Sequence, residues 1–96
     1  SERAASAVPI RPGDTTRVFV FEVEPGQRLS EAVRRFVSSH HLELDWDTGG
    51  ADYEIRYGFR VLGGTLDEVL FGVLSPFKLS AVTRRGNHVV AVSRAA

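Results

Sequence analysis

Five carboxylates lie close together in the middle of the sequence. They are Glu43, Asp45, Asp47, Asp52 and Glu54. Converging carboxylate oxygens are what a hard cation such as Ca²⁺ requires, but the spacing is not that of an EF-hand loop. Alternation places the first three on one solvent face of a strand, where Arg56 and Arg60 of the next strand are natural partners. We therefore expect a solvated, ion-paired face rather than a metal site.

The adjacent histidines His40 and His41 are the second candidate for metal chemistry. Neighbouring residues of a helix point about 100° apart, so this pair is poorly placed to chelate one ion. Both stand at the end of a predicted helix, where an imidazole caps free carbonyls and the helix dipole favours its charge. His88 lies in a predicted strand beside a turn, and nothing there singles it out. We expect neither a metal nor another cofactor.

No constellation for nucleophilic catalysis occurs in the sequence. A reactive serine or threonine needs a base and a third group that orients the base, and no nucleophile elbow or comparable motif is present. The pairs Gly49-Gly50 and Gly63-Gly64 lack the flanking residues of a phosphate-binding loop and are interpreted as turns. The chain has no cysteine, which excludes disulfides and thiolate metal sites. We predict that the chain is not an enzyme.

Two arginine pairs are candidates for a binding surface, although solvated arginines are the simpler explanation. Arg34 and Arg35 fall on the polar side of the first predicted helix, and Arg84 and Arg85 fall on a hairpin tip. A joint basic patch would suit RNA or lipid headgroups. However, twelve basic residues are balanced by twelve acidic ones, whereas nucleic-acid binding needs a positive excess. RNA binding also needs exposed aromatic residues, and we place most of them on core faces: Phe19, Phe21, Phe36, Tyr57 and Phe59.

Phe71 is the most unusual position, because it lies about 130° from the centre of the apolar stripe of the second predicted helix. Either Phe71 widens a helix face buried between two sheets, which we expect, or it anchors a protein partner, as aromatic residues often do. Edge strands offer a second binding mode, since their unpaired backbone groups accept an added strand. The sequence does not fix the strand order and so does not say which edge is free.

The elements that position these residues fit one domain, because 96 residues suffice for a single core. Residues 1–16 lack periodicity and contain Pro9 and Pro12-Gly13, which predicts a flexible tail or linker before a domain at 17–96. The apolar run at 18–23 predicts a strand covered on both sides. Helical spacing from Leu29 to His40 then predicts an amphipathic helix with a polar opposite face.

Strands alternating apolar and polar residues follow at 42–47 and 55–62, and we expect them to pair antiparallel. Thr65 and Glu68 form a predicted capping box that opens the second helix, which Ser75-Pro76 ends. Strands at 77–83 and 88–93 are joined by a hairpin in which Gly86 and Asn87 supply positive φ. The predicted fold is α+β, in the order β-α-β-β-α-β-β, with two amphipathic helices and small mixed or antiparallel sheets in a layered sandwich.

Four short segments within residues 17–93 occur in a recognisable order: VEPGQRLSEAV at 23–33, LELDWD at 42–47, GGTLDEVL at 63–70 and GNHVVAV at 86–92. Together they resemble the short N-terminal domain of secretins and of TonB-dependent signal transducers, especially its variant ending toxin-coregulated pilus biosynthesis protein Q. The first segment is similar to that family's strand, xGQxL turn and helix, and the last to its closing hairpin. The resemblance carries over no catalytic or partner-binding residue.

The resemblance implies a non-catalytic periplasmic module that assembles or stabilises an outer-membrane secretin, type IV pilus or secretion channel through protein partners or self-association in a ring. Two alternatives remain: a signalling domain that contacts a membrane-bound regulator, and a small nucleic-acid-binding module. No apolar run approaches the ~18 residues that span a bilayer. The abrupt start predicts a fragment of a longer protein, whose export signal would lie outside this chain.

Overall fold

The strands and helices follow the predicted order. The computed structural model describes residues 18–95, so the predicted tail at 1–16 lies outside the described residues. The elements are β1 (Phe19–Val23), α1 (Leu29–Ser38), β2 (Glu43–Trp46), β3 (Phe59–Gly63), α2 (Leu66–Leu74), a 3-10 turn (Ser75–Phe77), β4 (Leu79–Arg84) and β5 (Val89–Arg94). The α+β class and the order β-α-β-β-α-β-β are confirmed.

The strands form two separate small sheets. In the first, β1 pairs antiparallel with β3, so that Phe19 lies opposite Gly63 and Val23 opposite Phe59. In the second, β5 is the central strand, parallel to β2 and antiparallel to β4. The predicted antiparallel pairing of β2 with β3 is therefore wrong. The two strands belong to different sheets, and the long segment between β2 and β5 provides the crossover that a parallel pair requires.

Each helix contacts both sheets, as expected for a layered sandwich. The predicted stripes of the two helices face the core, and their buried residues are Leu29, Ala32, Val33, Phe36 and Val37 in α1 and Val69, Leu70, Val73 and Leu74 in α2. Strand residues complete the same core, mainly Phe21, Val23, Leu79, Val90 and Val92. Burial stabilises the fold by about 1.5–3 kcal/mol for each large apolar side chain, before the cost of ordering the chain.

β1 buries only one of its faces. Phe21 and Val23 are buried, whereas Val18 and Val20 on the opposite face are exposed. The prediction of a strand covered on both sides is therefore wrong. The run of apolar residues resembles that of a central strand, but the two helices pack on the same face of this sheet, and no other element within residues 18–95 covers its other face.

Only the second half of the predicted strand at 55–62 is a strand. Before Gly58 the chain is tied to the turn that precedes α1: the Ile55 amide donates to the Gln27 carbonyl, and the Gly26 amide donates to the Ile55 carbonyl, each at 2.8 Å. At Gly58 the backbones approach so closely that a Cβ would lie 2.8 Å from the Val23 carbonyl oxygen. Glycine is therefore required where the chain turns from this loop into β3.

The helix and hairpin ends mostly agree with their predicted residues. The Glu68 amide donates to Thr65 Oγ1 at 3.1 Å, while Glu68 Oε1 accepts from the Gly64 amide at 2.8 Å, one residue before the cap. β4 and β5 form the predicted hairpin, but positive φ occurs at His88 (56°) rather than at Gly86 or Asn87. No helix within residues 18–95 has the length and apolar composition to cross a bilayer.

Candidate functional site

Three exposed aliphatic side chains form the main apolar surface outside the core. Val18, Val20 and Leu62 are 60%, 44% and 58% exposed. Val18 and Val20 are two residues apart and share one side of the chain, and Val20 lies opposite Leu62 across the strand pair. We call these three residues the outer apolar face. Leu62 breaks the polar pattern of its side of β3, and this was the one sequence signal of the surface.

An ion pair continues the outer apolar face along the same two strands. Arg60 donates to Glu22 Oε2 through Nε at 3.0 Å and Nη2 at 2.8 Å, and the two residues lie directly opposite each other. The predicted pairing of Arg60 with the carboxylates of β2 is wrong, because β2 lies in the other sheet. Arg56 lies in the loop before β3 and pairs with none of them either. The pair beside the apolar face contributes no net charge.

Phe71 is exposed on α2, with 74% of its surface accessible. The expectation that it widens a buried helix face is therefore wrong. Its neighbours explain this, since Leu70 and Val73 point into the core and Phe71 stands on the opposite side of the helix. Phe71 is thus accessible to a protein partner, and the alternative interpretation, that it anchors such a partner, requires this exposure.

The four predicted binding arginines are all exposed, but they do not gather in one depression. Arg35 lines a depression of about 180 Å³ that also contains Val20, so it borders the outer apolar face. Arg85 lines a groove of about 450 Å³ near His40 and His88. Arg34 and Arg84 line neither of these depressions.

The five central carboxylates separate into different parts of the molecule. Glu43 and Asp45 are exposed on β2 and Asp47 directly after it, whereas Asp52 binds the start of α1 and Glu54 lies in the following loop. Among residues 18–95, no group of three or more histidine, cysteine, aspartate or glutamate side chains is arranged to hold a metal ion.

Asp52 closes the amino-terminal end of α1. Its Oδ1 accepts from the Ser30 amide at 3.1 Å and its Oδ2 from the Ser30 hydroxyl at 2.5 Å, while the Tyr53 carbonyl accepts from the Leu29 amide at 2.8 Å. Partial burial raises the pKa of Asp52, but the hydrogen bonds from Ser30 and Tyr53 and the charge of Arg28 outweigh burial and hold the pKa below its usual value. The side chain at the cap position, Arg28, forms no capping hydrogen bond.

The histidines have structural environments that differ from the predicted capping role. The ring of His40 packs edge-on against Phe19 and Phe36, with ring centroids 5.1 Å apart in each case. The final carbonyls of α1 accept hydrogen bonds from backbone amides instead. The Leu42 amide donates to the Val37 carbonyl and the His41 amide donates to the Ser38 carbonyl, each at 3.0 Å.

A third depression has aromatic walls, and the sequence pattern did not predict it. It encloses about 370 Å³ and is lined by Ile55, Tyr57, Phe59, Val61, Pro76 and Phe77, with Glu54, Arg56 and Gly72 completing its lining. We call it the aromatic groove. Tyr57 is 85% exposed, so its predicted place on a core face is wrong. The alternation that suggested a strand does not distinguish Tyr57 from buried Ile55.

No family model, no curated protein and no solved structure matches this chain. The resemblance to the secretin and TonB short N-terminal domain therefore stands on the motifs in the sequence.

Proposed function

We propose that this domain is a non-catalytic assembly module of a bacterial envelope complex, namely an outer-membrane secretin, a type IV pilus or a related secretion channel. It acts in the periplasm by binding protein components of that complex. The observation that carries the proposal is the outer apolar face. Exposed apolar patches on soluble domains commonly mark interaction sites, because covering them with a partner removes apolar surface from water.

The geometry of the outer apolar face suits a protein partner. Val20 and Leu62 lie side by side on two paired strands, so a partner meets a continuous surface rather than scattered side chains. The adjacent Glu22 and Arg60 satisfy each other's charge. Arg35 at the margin adds a donor that can bind a partner's carboxylate or carbonyl. An apolar centre with a polar margin is the usual composition of a protein interface.

The architecture is the one that the apolar and polar periodicity of the sequence predicted. That periodicity predicted two amphipathic helices with small mixed or antiparallel sheets, and this chain has two helices in contact with a two-stranded antiparallel sheet and a three-stranded mixed sheet. A fold of this kind hosts more than one function, so the argument for binding rests on the surface.

Strand addition is a second way in which the module can assemble. β2 and β4 are the edges of the three-stranded sheet among the described residues, and β1 and β3 each pair with one strand only. An unpaired edge can accept a strand from a partner or a neighbouring copy in a ring. β2 is only four residues long and carries exposed Glu43 and Asp45, which limits unselective pairing at that edge.

A matched pair of substitutions tests the proposal. Leu62 and Val82 are 58% and 59% exposed, and each lies on the outer face of a strand, but in different sheets. In co-purification with a candidate secretin or pilus-channel protein, we expect Leu62→Glu to weaken binding by at least about tenfold, as at an interface hot spot. Val82→Glu should bind as the unsubstituted chain does.

Thermal unfolding of both variants is the control for folding, and we expect each to remain folded because both positions are exposed. Equal binding by the two variants would contradict the role of the outer apolar face. Binding of RNA in place of any envelope protein would favour the nucleic-acid-binding alternative, and selective binding of a membrane-bound regulator would favour the signalling alternative.

A further inference from the structure

The aromatic groove offers a binding site that the proposed assembly surface does not use. One wall is the loop containing Ile55 and Tyr57, the other is the 3-10 turn containing Pro76 and Phe77, and β3 forms the floor. Phe77 is held in place by Tyr53, whose ring centroid lies 5.0 Å away. Tyr57 stands at the edge of the groove with most of its ring exposed.

A segment that fits this chemistry occurs in the same chain. Residues 8–12 read Val-Pro-Ile-Arg-Pro, so Pro9 and Pro12 are separated by three positions. The polyproline II helix has three residues per turn and rises about 3.1 Å per residue, which places the two prolines on one side about 9 Å apart. Aromatic-lined grooves recognise such segments because the proline rings pack on aromatic faces and little conformational entropy is lost.

We propose that residues 8–12 dock in the aromatic groove of their own chain, with Pro9 and Pro12 against the aromatic walls and Arg11 directed towards Glu54. Glu54 forms no ion pair with another described residue, so its carboxylate can accept hydrogen bonds from Arg11, although Arg56 lies on the same rim. The larger groove is bordered by Arg85 and His88 and has no carboxylate in its lining, so it offers Arg11 no acidic partner.

The connecting chain is long enough for docking within one molecule. Pro12 and Val18 are six positions apart, and this stretch spans up to about 20 Å when extended. Two groove residues, Val61 and Phe59, lie opposite Phe21 and Val23 of β1. These positions are three to five residues beyond Val18, or roughly 10–17 Å along the strand. The Pro12-Gly13 pair allows the chain to reverse direction between the segment and β1.

Paramagnetic relaxation in the full chain tests the inference. Because the chain has no cysteine, Ser6→Cys gives a single site for a nitroxide label. We expect selective loss of the amide signals of Tyr57, Phe59 and Phe77, with the signal of Val82 on the other sheet retained. Broadening confined to the beginning of β1, or no selective broadening, would overturn the inference.

Two further measurements make the result specific. The double substitution Pro9→Ala with Pro12→Ala should restore the groove signals, and so should Tyr57→Ala, whereas Val82→Ala should leave the broadening unchanged. If neither the proline replacements nor the tyrosine replacement restores the groove signals, docking in the groove is ruled out. In a mixture of isotope-labelled chain without nitroxide and unlabelled chain with nitroxide, the groove signals should persist. Their loss in that mixture would assign the occupant to a second copy and contradict docking within one chain.

Discussion

A single carboxylate fixes the start of α1 from a distance of twenty-two positions in the sequence. Asp52 accepts hydrogen bonds from both the amide and the hydroxyl of Ser30, so the loop after β2 provides the cap that Arg28 does not. First-turn amides have no partner within their own helix, and a side-chain oxygen that accepts from one of them stabilises the helix. Asp52 therefore connects the loop after β2 to the first turn of α1.

We predict that Asp52→Ala lowers the free energy of unfolding by about 1 kcal/mol at neutral pH, the usual cost of losing a helix cap. Urea denaturation measures this effect. Asp45→Ala, which removes an exposed carboxylate from β2, should change stability by less than about 0.5 kcal/mol. Equal losses in the two variants would contradict the capping role of Asp52.

The same pair of variants gives a prediction for pH. The folded pKa of Asp52 is lowered, so its contribution to stability is present above the unfolded pKa of about 3.9 and is lost as pH falls through the folded value. The stability difference between the unsubstituted chain and Asp52→Ala should therefore shrink in acid. A difference that stays constant down to pH values below both pKa values would show that the carboxylate charge does not contribute.

At the scale of elements, α1 ends in a backbone motif that favours glycine but contains histidine. His41 has φ of 64°, and the amides of Leu42 and His41 donate to the carbonyls of Val37 and Ser38. This pattern is a Schellman motif, in which the left-handed position is usually glycine. A non-glycine residue costs roughly 1–2 kcal/mol in this conformation.

We predict that His41→Gly raises the free energy of unfolding by about 0.5–1 kcal/mol. The relief of backbone strain is partly offset by the greater freedom of glycine in the unfolded chain. His41→Ala is the matched control and should give no gain, since alanine keeps the strained backbone. Denaturant unfolding measures the free energy of unfolding of the two variants. A loss of stability in the glycine variant would show that the His41 side chain itself is needed.

The elements differ in how far local sequence determined them. Both helices and the capping box at Thr65 were predictable, because an apolar stripe and a cap depend on residues a few positions apart. The segment at 55–58 was not, since Ile55 and Tyr57 continue the alternation of a strand. Backbone hydrogen bonds to Gly26 and Gln27, far away in sequence, hold that segment as a loop.

Strand pairing and surface exposure were also beyond the local pattern. The alternation of β2 correctly gave its exposed carboxylates, but it holds no information on whether β3 or β5 is the neighbour. The apolar residues of β1 similarly suggested two covered faces. Which face of a strand or helix is covered depends on how the helices pack against the sheets. In this packing, Val20 of β1 and Phe71 of α2 are both exposed.

At the scale of the whole molecule, the two sheets leave distinct outer surfaces. The two-stranded sheet presents the outer apolar face with a balanced ion pair, whereas β2 presents carboxylates on the three-stranded sheet. The aromatic groove lies between the loop before β3 and the 3-10 turn after α2. The proposed assembly module would therefore bind its partner on one surface while the groove receives the proposed proline-containing segment.

Site-specific photo-crosslinking in cells tests the central claim most directly. A photoreactive amino acid is placed at position 62 of the outer apolar face or, as the control, at position 82 of the other sheet. Position 62 should give a covalent adduct with a protein of the secretin or pilus complex, and position 82 should not. An envelope-protein adduct from position 82 alone, or none from position 62, would contradict the account.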